Sequence, residues 1–296
     1  MTAADEAYRQ LILETVNARA QRNGGFLRRV DLSWVELGGG VGVRVIDPAR
    51  GIRNPREMDA TLSVVSSPDG PYADREVAGG LFHYSYRTGS IQGDNAKLRR
   101  AYELGLPIIL LRKIRDGEYV PYAPVYVVED LVDQREFLLA LDESVGMMGG
   151  LTGATPIERR YREAMVRQRL HQREFRGRVI AAYRTHCAIC RLRYGELLDA
   201  AHIIGDAEDD GAPLVSNGLS LCKIHHAAFD RNLLGVSPDY VVHIDHRLLD
   251  EIDGPMLRHG LQEMHGASLT LPERRGDRPD RDRLKERFTR FQALAS

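Results

Sequence analysis

The stretch LDAAHIIGDAEDDGAPLVSNGLSLCKIHHAAFDRN, Leu198 to Asn232, packs three histidines, one cysteine and six acids into 35 positions. LDAAHII is β-prone and carries His202, and SNG is turn chemistry and carries Asn217. In HHAAFD, His226 and Asp230 stand four apart, so on a helix they project from one face and can grip a single divalent ion. A histidine facing such an ion removes a proton from water, while the ion stabilises charge on a phosphate and its leaving oxygen. His202, Asn217, His226 and Asp230 together therefore fit phosphodiester hydrolysis, with the Asn217 amide tying the loop together and orienting His202.

The three cysteines of the chain all lie in or just before this stretch. An odd number suits a disulfide framework poorly. Cys187 and Cys190 form Cys-x2-Cys in HCAIC, and after 31 intervening residues Cys222 and His225 form Cys-x2-His in LCKIH. Two such pairs are the pattern of a tetrahedral structural zinc, here with a Cys3His set, because each pair bends a turn around one edge of the tetrahedron.

The pieces HCAIC, LDAAHI and SNGLSLCKIHHAAFD resemble the HNH endonucleases, whose fold is the ββα-metal unit, over about residues 175 to 235. The resemblance implies that His202 is the general base, that Asn217 positions it, and that His226 binds a catalytic Mg2+ or Mn2+ with Asp230 as a further ligand. Many members place Asp or His directly before the base, where this chain has Ala201. Asp199 lies three residues before His202, on the other face of an ideal strand, so it joins the ion only if a bulge or bend re-aims it. Otherwise water completes the shell, as magnesium allows. The acids Asp206, Glu208, Asp209 and Asp210 read as solvated loop residues, and His243, His246, His259 and His265 as structural or surface histidines.

Upstream, residues 158 to 193 hold eleven arginines against three glutamates. A basic helix here leads into the cysteines, and Arg173, Arg176 and Arg178 are candidates for holding DNA phosphates. Before it, from about Gly24 to Asp130, come short β-prone runs: VGVRVID, ATLSVVS, LFHYSYR, PIILLRKI and APVYVVED. They are interrupted by one helix, DNAKLRRAYELG, with Asp94 as its N-cap and Gly105 as its stop. An amphipathic helix precedes them, with Ala7, Leu11, Ile12, Val16 and Ala20 at helical spacing. This order predicts an α+β unit around a curved sheet or partial barrel. It resembles the PUA-like superfamily, specifically the SRA-like readers fused to HNH nucleases in modification-dependent restriction enzymes. A reader of that kind flips a base into a pocket. HYSYRTGSIQGDN offers Tyr84 and Tyr86 as rings, Asp94 and Asn95 as hydrogen-bonding groups, and Arg87 and Lys97 for phosphates. The same alternation also fits one face of a core strand, with Asp94 only a cap and Trp34 in the core.

The 296 residues divide on this reading into a reader domain (1–150), a basic helical linker (151–184) and an HNH domain with a helical C-terminal tail (185–296). The net charge of −1 excludes a globally basic nucleic-acid binder. The charged N-terminus and the lack of about 18 successive apolar residues predict a cytoplasmic protein with no membrane partner. The expected partner is double-stranded DNA with a modified base, most in keeping with modified cytosine in bacterial defence. Cutting two strands with one site per chain favours a homodimer or sequential nicks. Two other readings stay open: a front domain that recognises damaged DNA, a nucleotide signal or RNA, and a non-catalytic clamp.

Overall fold

The computed structural model describes residues 3–67, 75–77, 81–87, 93–141, 171–206, 208 and 210–294. Two units emerge, one formed by Met1–Gln21 with Phe26–His171 and the other by Arg22–Gly25 with Gln172–Ser296.

The first unit opens with α1 (Ala3–Arg22). Ile12, Leu13, Val16 and Ala20 form its buried stripe, whereas Ala7 and Leu11 face outward, so the apolar face is rotated from the one the spacing predicts. The reason is Arg9, which is buried on that face and donates from Nη1 to Thr61 O (2.7 Å) and Pro107 O (3.0 Å) and from Nη2 to Ala60 O (3.2 Å). After β1 (Leu27–Arg28) and α2 (Arg29–Ser33) comes the hairpin β2 (Val35–Gly38) and β3 (Val41–Val43). Trp34 is 56% exposed, not a core residue, because its ring lies over Gly42, where an added Cβ would sit 2.3 Å from it.

The main sheet follows: β4 (Ile52–Arg53), β5 (Ser63–Ser66), β6 (Arg75–Val77) and β7 (Leu81–Ser85), then α3 (Asp94–Leu104), then β8 (Ile108–Arg115), β9 (Glu118–Leu131) and β10 (Glu136–Ala140). The strand order is β4-β5-β8-β9-β10-β7-β6, with β1 on β9. β5 and β8 run parallel and the other pairs antiparallel. The first part of β9 pairs with β8 and the second with β10, so one long strand joins the halves of a sheet curled into a half-barrel. The expected strands are present, and α3 stops where Gly105 turns left-handed at φ 62°. Its N-cap is Gly93, so Asp94 is the first helical residue and not the cap.

The second unit begins with α4 over 171–182, which the sequence reading assigned to the linker. Glu174, Phe175, Val179 and Ile180 are buried in this unit, so this stretch is part of its core; residues 151–170 of the expected linker lie outside the described residues. β11 (Leu198–His202) and β12 (Gly218–Cys222) pair antiparallel from Leu198↔Cys222 to His202↔Gly218, and α5 (Lys223–Asp230) follows at once. This is a ββα unit. β13 (Leu234–Val236) and β14 (Val242–Ile244) form a hairpin, followed by α6 (His246–Leu249), α7 (Pro255–Gly260) and the terminal α8 (Arg281–Leu294). α8 packs on β13 through Phe291, where Gly235 leaves the room: a Cβ there would stand 2.5 Å from the ring. No helix among the described residues is long and apolar enough to cross a membrane.

Arg9→Met leaves three carbonyls without their donor inside the first unit, which should cost about 2–5 kcal/mol of stability. Urea denaturation checks this through the midpoint; a loss under about 1 kcal/mol would show that the carbonyls find other partners.

Candidate functional site

Cys187, Cys190, Cys222 and His225 converge, each offering one donor atom, with all four atoms within 4.8 Å of one another. Cys187 Sγ lies 3.4 Å and Cys222 Sγ 3.2 Å from His225 Nδ1, and Cys190 Sγ is 3.9 Å from Cys222 Sγ. A tetrahedral zinc with Zn–S bonds of about 2.3 Å needs an S···S edge of about 3.8 Å, so the spacing fits. His225 Nε2 donates to Gly260 O at 2.7 Å, which fixes the tautomer and leaves Nδ1 for the ion. The donor chemistry agrees: contact with the other two sulfurs, and burial, push the Cys187 thiol far up, while the same contacts pull Cys222 towards thiolate. Thiolates this close repel one another, and a divalent cation between them offsets that repulsion.

The second cluster lines a cavity of about 560 Å³ that includes Phe175, Arg176, Asp199, His202, His226, Asp230 and Arg287. His202 stacks on Phe175, with ring centroids 3.9 Å apart and planes 12° from parallel. Gly218, opposite His202 in the sheet, permits this packing, since a Cβ there would meet Val179 at 2.5 Å and Phe175 at 2.9 Å. Burial lowers the His202 pKa, which favours the neutral ring, and its buried Nε2 has no hydrogen-bond partner among the described residues.

Asn217 is fully buried. Its Oδ1 accepts from Ile204 N (3.0 Å) and its Nδ2 donates to Ile204 O (3.0 Å) and Ala212 O (3.1 Å). It thus ties the loop as expected, but it acts on the backbone just after His202 and not on the imidazole.

His226 sits between two carboxylates, its Nδ1 3.2 Å from Asp199 Oδ2 and its Nε2 3.3 Å from Asp230 Oδ2. Neighbouring ligands in an octahedral shell with bonds of about 2.1 Å stand about 3.0 Å apart, so His226 Nε2 and Asp230 fit one divalent ion. The two nitrogens of an imidazole point apart, so Asp199 lies on the opposite side of the ring from Asp230 and holds it there. The register of β11 has no bulge, but its buried residues, Leu198 and Ala201, are three apart, so strict alternation misplaces Asp199. Hydrogen bonds from His226 and then Lys223 (2.6 and 2.7 Å) hold the Asp199 carboxyl well below the usual range, and Asp199 in turn raises the His226 pKa.

The expected phosphate ligands divide. Arg176 donates from Nη2 to Gly195 O (3.1 Å) and Leu198 O (2.8 Å), fixing the start of β11, and Arg178 pairs with Glu174 (3.0 Å). Arg173 is exposed on α4. In the front unit the residues expected to bind a base are buried: Tyr84 is 0% and Tyr86 4% exposed, continuing the alternation of β7. Tyr84 Oη donates to Gly51 O (3.2 Å), and Tyr86 bonds to Asp130. Asn95 is buried and joins the Arg87 backbone, and Asp94 pairs with Arg50 (3.0 Å). Arg87 Nε donates to Tyr84 Oη (2.7 Å), and Lys97 Nζ to Pro55 O and Met58 O, each at 2.5 Å, so neither is poised for phosphate. Phe175 and Arg287 also line the cavity and Lys223 bonds Asp199 beside it; motif spacing singled out none of the three.

Residues 187–237 match the HNH endonuclease family. The match spans Cys187 to Ser237 and so takes in the four Cys3His residues together with Asp199, His202, Asn217, His226 and Asp230. Among solved structures, the chain is similar to the modification-dependent TagI restriction endonuclease, at 18% identity and TM-score 0.32 over 78% of this chain and 82% of that one. It is also similar to the SUVH5 SRA domain in complex with hemimethylated CG DNA, at 20% identity and TM-score 0.26 over 32% and 73% of the two chains. A complex of the same domain with methylated CHH DNA matches at 19% identity and TM-score 0.28, over 38% and 83%. No curated protein matches.

Cys222→Ser should release bound zinc and unfold the ββα unit, whose strands of five residues and helix of eight have little core of their own. Metal analysis of the wild-type chain should find about one tightly held zinc. A folded, zinc-free wild-type protein would contradict the assignment.

Proposed function

We propose that the chain is a metal-dependent HNH-type endonuclease that cleaves double-stranded DNA carrying a modified base, modified cytosine first among the candidates, in a cytoplasmic restriction role. The observation that carries the nuclease reading is the cavity in which the stacked, neutral His202 and the His226–Asp230 pair meet. A divalent ion held there, Mg2+ or Mn2+, supplies stabilisation of charge on the phosphate and the leaving oxygen. His226 Nε2 and Asp230 hold it, Asp199 keeps the His226 ring in place, and Lys223 keeps Asp199 charged. His202 accepts the proton of the attacking water, with its ring plane set by Phe175. The preference for modified DNA rests on the resemblance of residues 25–130 to SRA-like readers, with the half-barrel sheet as its scaffold.

Digestion of matched duplexes carrying cytosine, methylcytosine, hydroxymethylcytosine or its glucosylated form tests both parts. Cutting of one modified duplex over its plain twin is expected. Equal cutting of all four would remove the reader and leave the nuclease, and no cutting with either metal would remove both.

His202→Ala should lower the cleavage rate about 10²-fold or more with folding and DNA affinity retained, because the base acts in the transition state. Retention of more than about a tenth of the rate would contradict its role.

The pH profile follows from the two histidines. The His226 pKa is raised, so at acid pH a proton competes with the ion, and the rate rises as that proton leaves. Raising Mg2+ should move the acid limb to lower pH until His202, whose pKa lies below the ordinary histidine value, sets the limit. A limb whose midpoint ignores metal concentration would contradict His226 as the ligand.

A further inference from the structure

α8 contributes Arg287 to the lining of the cavity, from outside the segment that matches the HNH family. Leu284 and Phe291 anchor this helix by burial, and between them stand Arg287 and Arg290, one turn apart. The two arginines are used differently. Arg290 grips Glu208 with both Nη atoms, at 3.0 and 2.6 Å, and also pairs with Glu286, so its charge is matched and the loop after β11 is pinned to α8. Arg287 has no carboxylate within ion-pair distance among the described residues. Its Nη2 donates to Phe229 O at 2.7 Å and reaches Asp230 O at 3.5 Å, and its guanidinium lies 4.8 Å from the centre of the Phe229 ring. Nε and Nη1 have no acceptor among the described residues.

A half-buried guanidinium without a carboxylate is costly, and burial lowers the Arg287 pKa accordingly. The cost is offset where an anion arrives. Arg287 stands at the carbonyl end of α5, beside Asp230 and in the same cavity as His202 and His226. The other arginine of the cavity, Arg176, is occupied by the carbonyls of Gly195 and Leu198. We propose that Arg287 is a phosphate ligand of the cleavage site, its open Nε and Nη1 donating to a non-bridging oxygen of the scissile phosphodiester. Charge grows on those oxygens as the water attacks, so a fixed guanidinium fork binds the transition state better than the ground state. Phe229 sets the plane of the fork and the Phe229 carbonyl sets its reach.

The inference rests on the nuclease reading, and a purely structural role as a cap on the last carbonyls of α5 is its rival. Arg287→Gln separates them, because glutamine keeps an amide donor for Phe229 O and loses the charge. The full-length variant should unfold at the wild-type temperature and hold the same zinc. Its single-turnover rate on saturating DNA should fall about 10²-fold or more. In a His202→Ala background, its affinity should depend less steeply on salt, the log–log slope losing about 0.9 for one phosphate contact. Arg287→Lys should restore the slope and only part of the rate, since a point charge lacks the fork. Arg281→Gln, on the same helix and outside the cavity, should change neither. If Arg287→Gln fails to fold, Arg287→Lys carries the test, with an intact slope and a reduced rate expected. A wild-type rate and slope in Arg287→Gln would overturn the proposal, as would a rate lost only together with melting temperature and zinc while the slope stays unchanged. A wild-type chain that cuts no DNA would fail the nuclease reading itself, and it is recognised before any variant is compared.

Discussion

The closure of Cys187, Cys190, Cys222 and His225 on one point is the constraint on which the second unit depends. It joins the turn before β11 to the start of α5, and Cys222 is also the strand residue paired with Leu198. A two-stranded ribbon of five-residue strands is weakly held by itself, and a slip of one residue would turn every side chain to the other face. With Cys222 held opposite Leu198, His202 must stand opposite Gly218, the residue whose missing side chain admits Phe175. The orientation of the His202 ring therefore follows from a cluster that lies outside the cavity.

From that frame the charges arrange themselves. Lys223 and His226 lie one helical turn apart on α5 and both address Asp199, which keeps a carboxylate charged and a histidine ring fixed at the edge of the cavity. Asp230, one turn further on, brings a second carboxylate to the opposite nitrogen. Burial acts in the reverse sense on His202, keeping it neutral and ready to accept a proton. Two histidines of the same unit thus differ in state because one is surrounded by carboxylates and the other by an aromatic ring.

The parts of this site that were legible in the sequence are those fixed by local spacing: the two ligand pairs, the His226–Asp230 helical step, and the loop-closing Asn217. The parts that were not are set by tertiary packing. Phe175 reaches His202 across some 27 residues of chain, and Arg287 reaches Asp230 from the terminal helix. Asp199 lines the same cavity as His202 because β11 departs from a two-residue period. In the front unit the strands and the helix stop at Gly105 were readable from turn residues and β-prone runs, but alternation alone gave no means of telling a pocket wall from a core face, and Tyr84 and Tyr86 proved to be core. Trp34 went the other way, exposed because Gly42 offers it a flat seat on the hairpin.

On the proposed function, two chemically different ions serve two adjacent clusters, a zinc on Cys3His and an exchangeable ion on His226 and Asp230. Anomalous scattering from crystals of the full-length protein soaked in Mn2+ tests it directly. A zinc signal is expected among Cys187, Cys190, Cys222 and His225, and a separate manganese signal bonded to His226 Nε2 and Asp230 with Asp199 outside its coordination shell. Manganese bound through Asp199 on the Nδ1 side, or manganese absent from His226 in a protein that still cuts DNA with Mn2+, would contradict it.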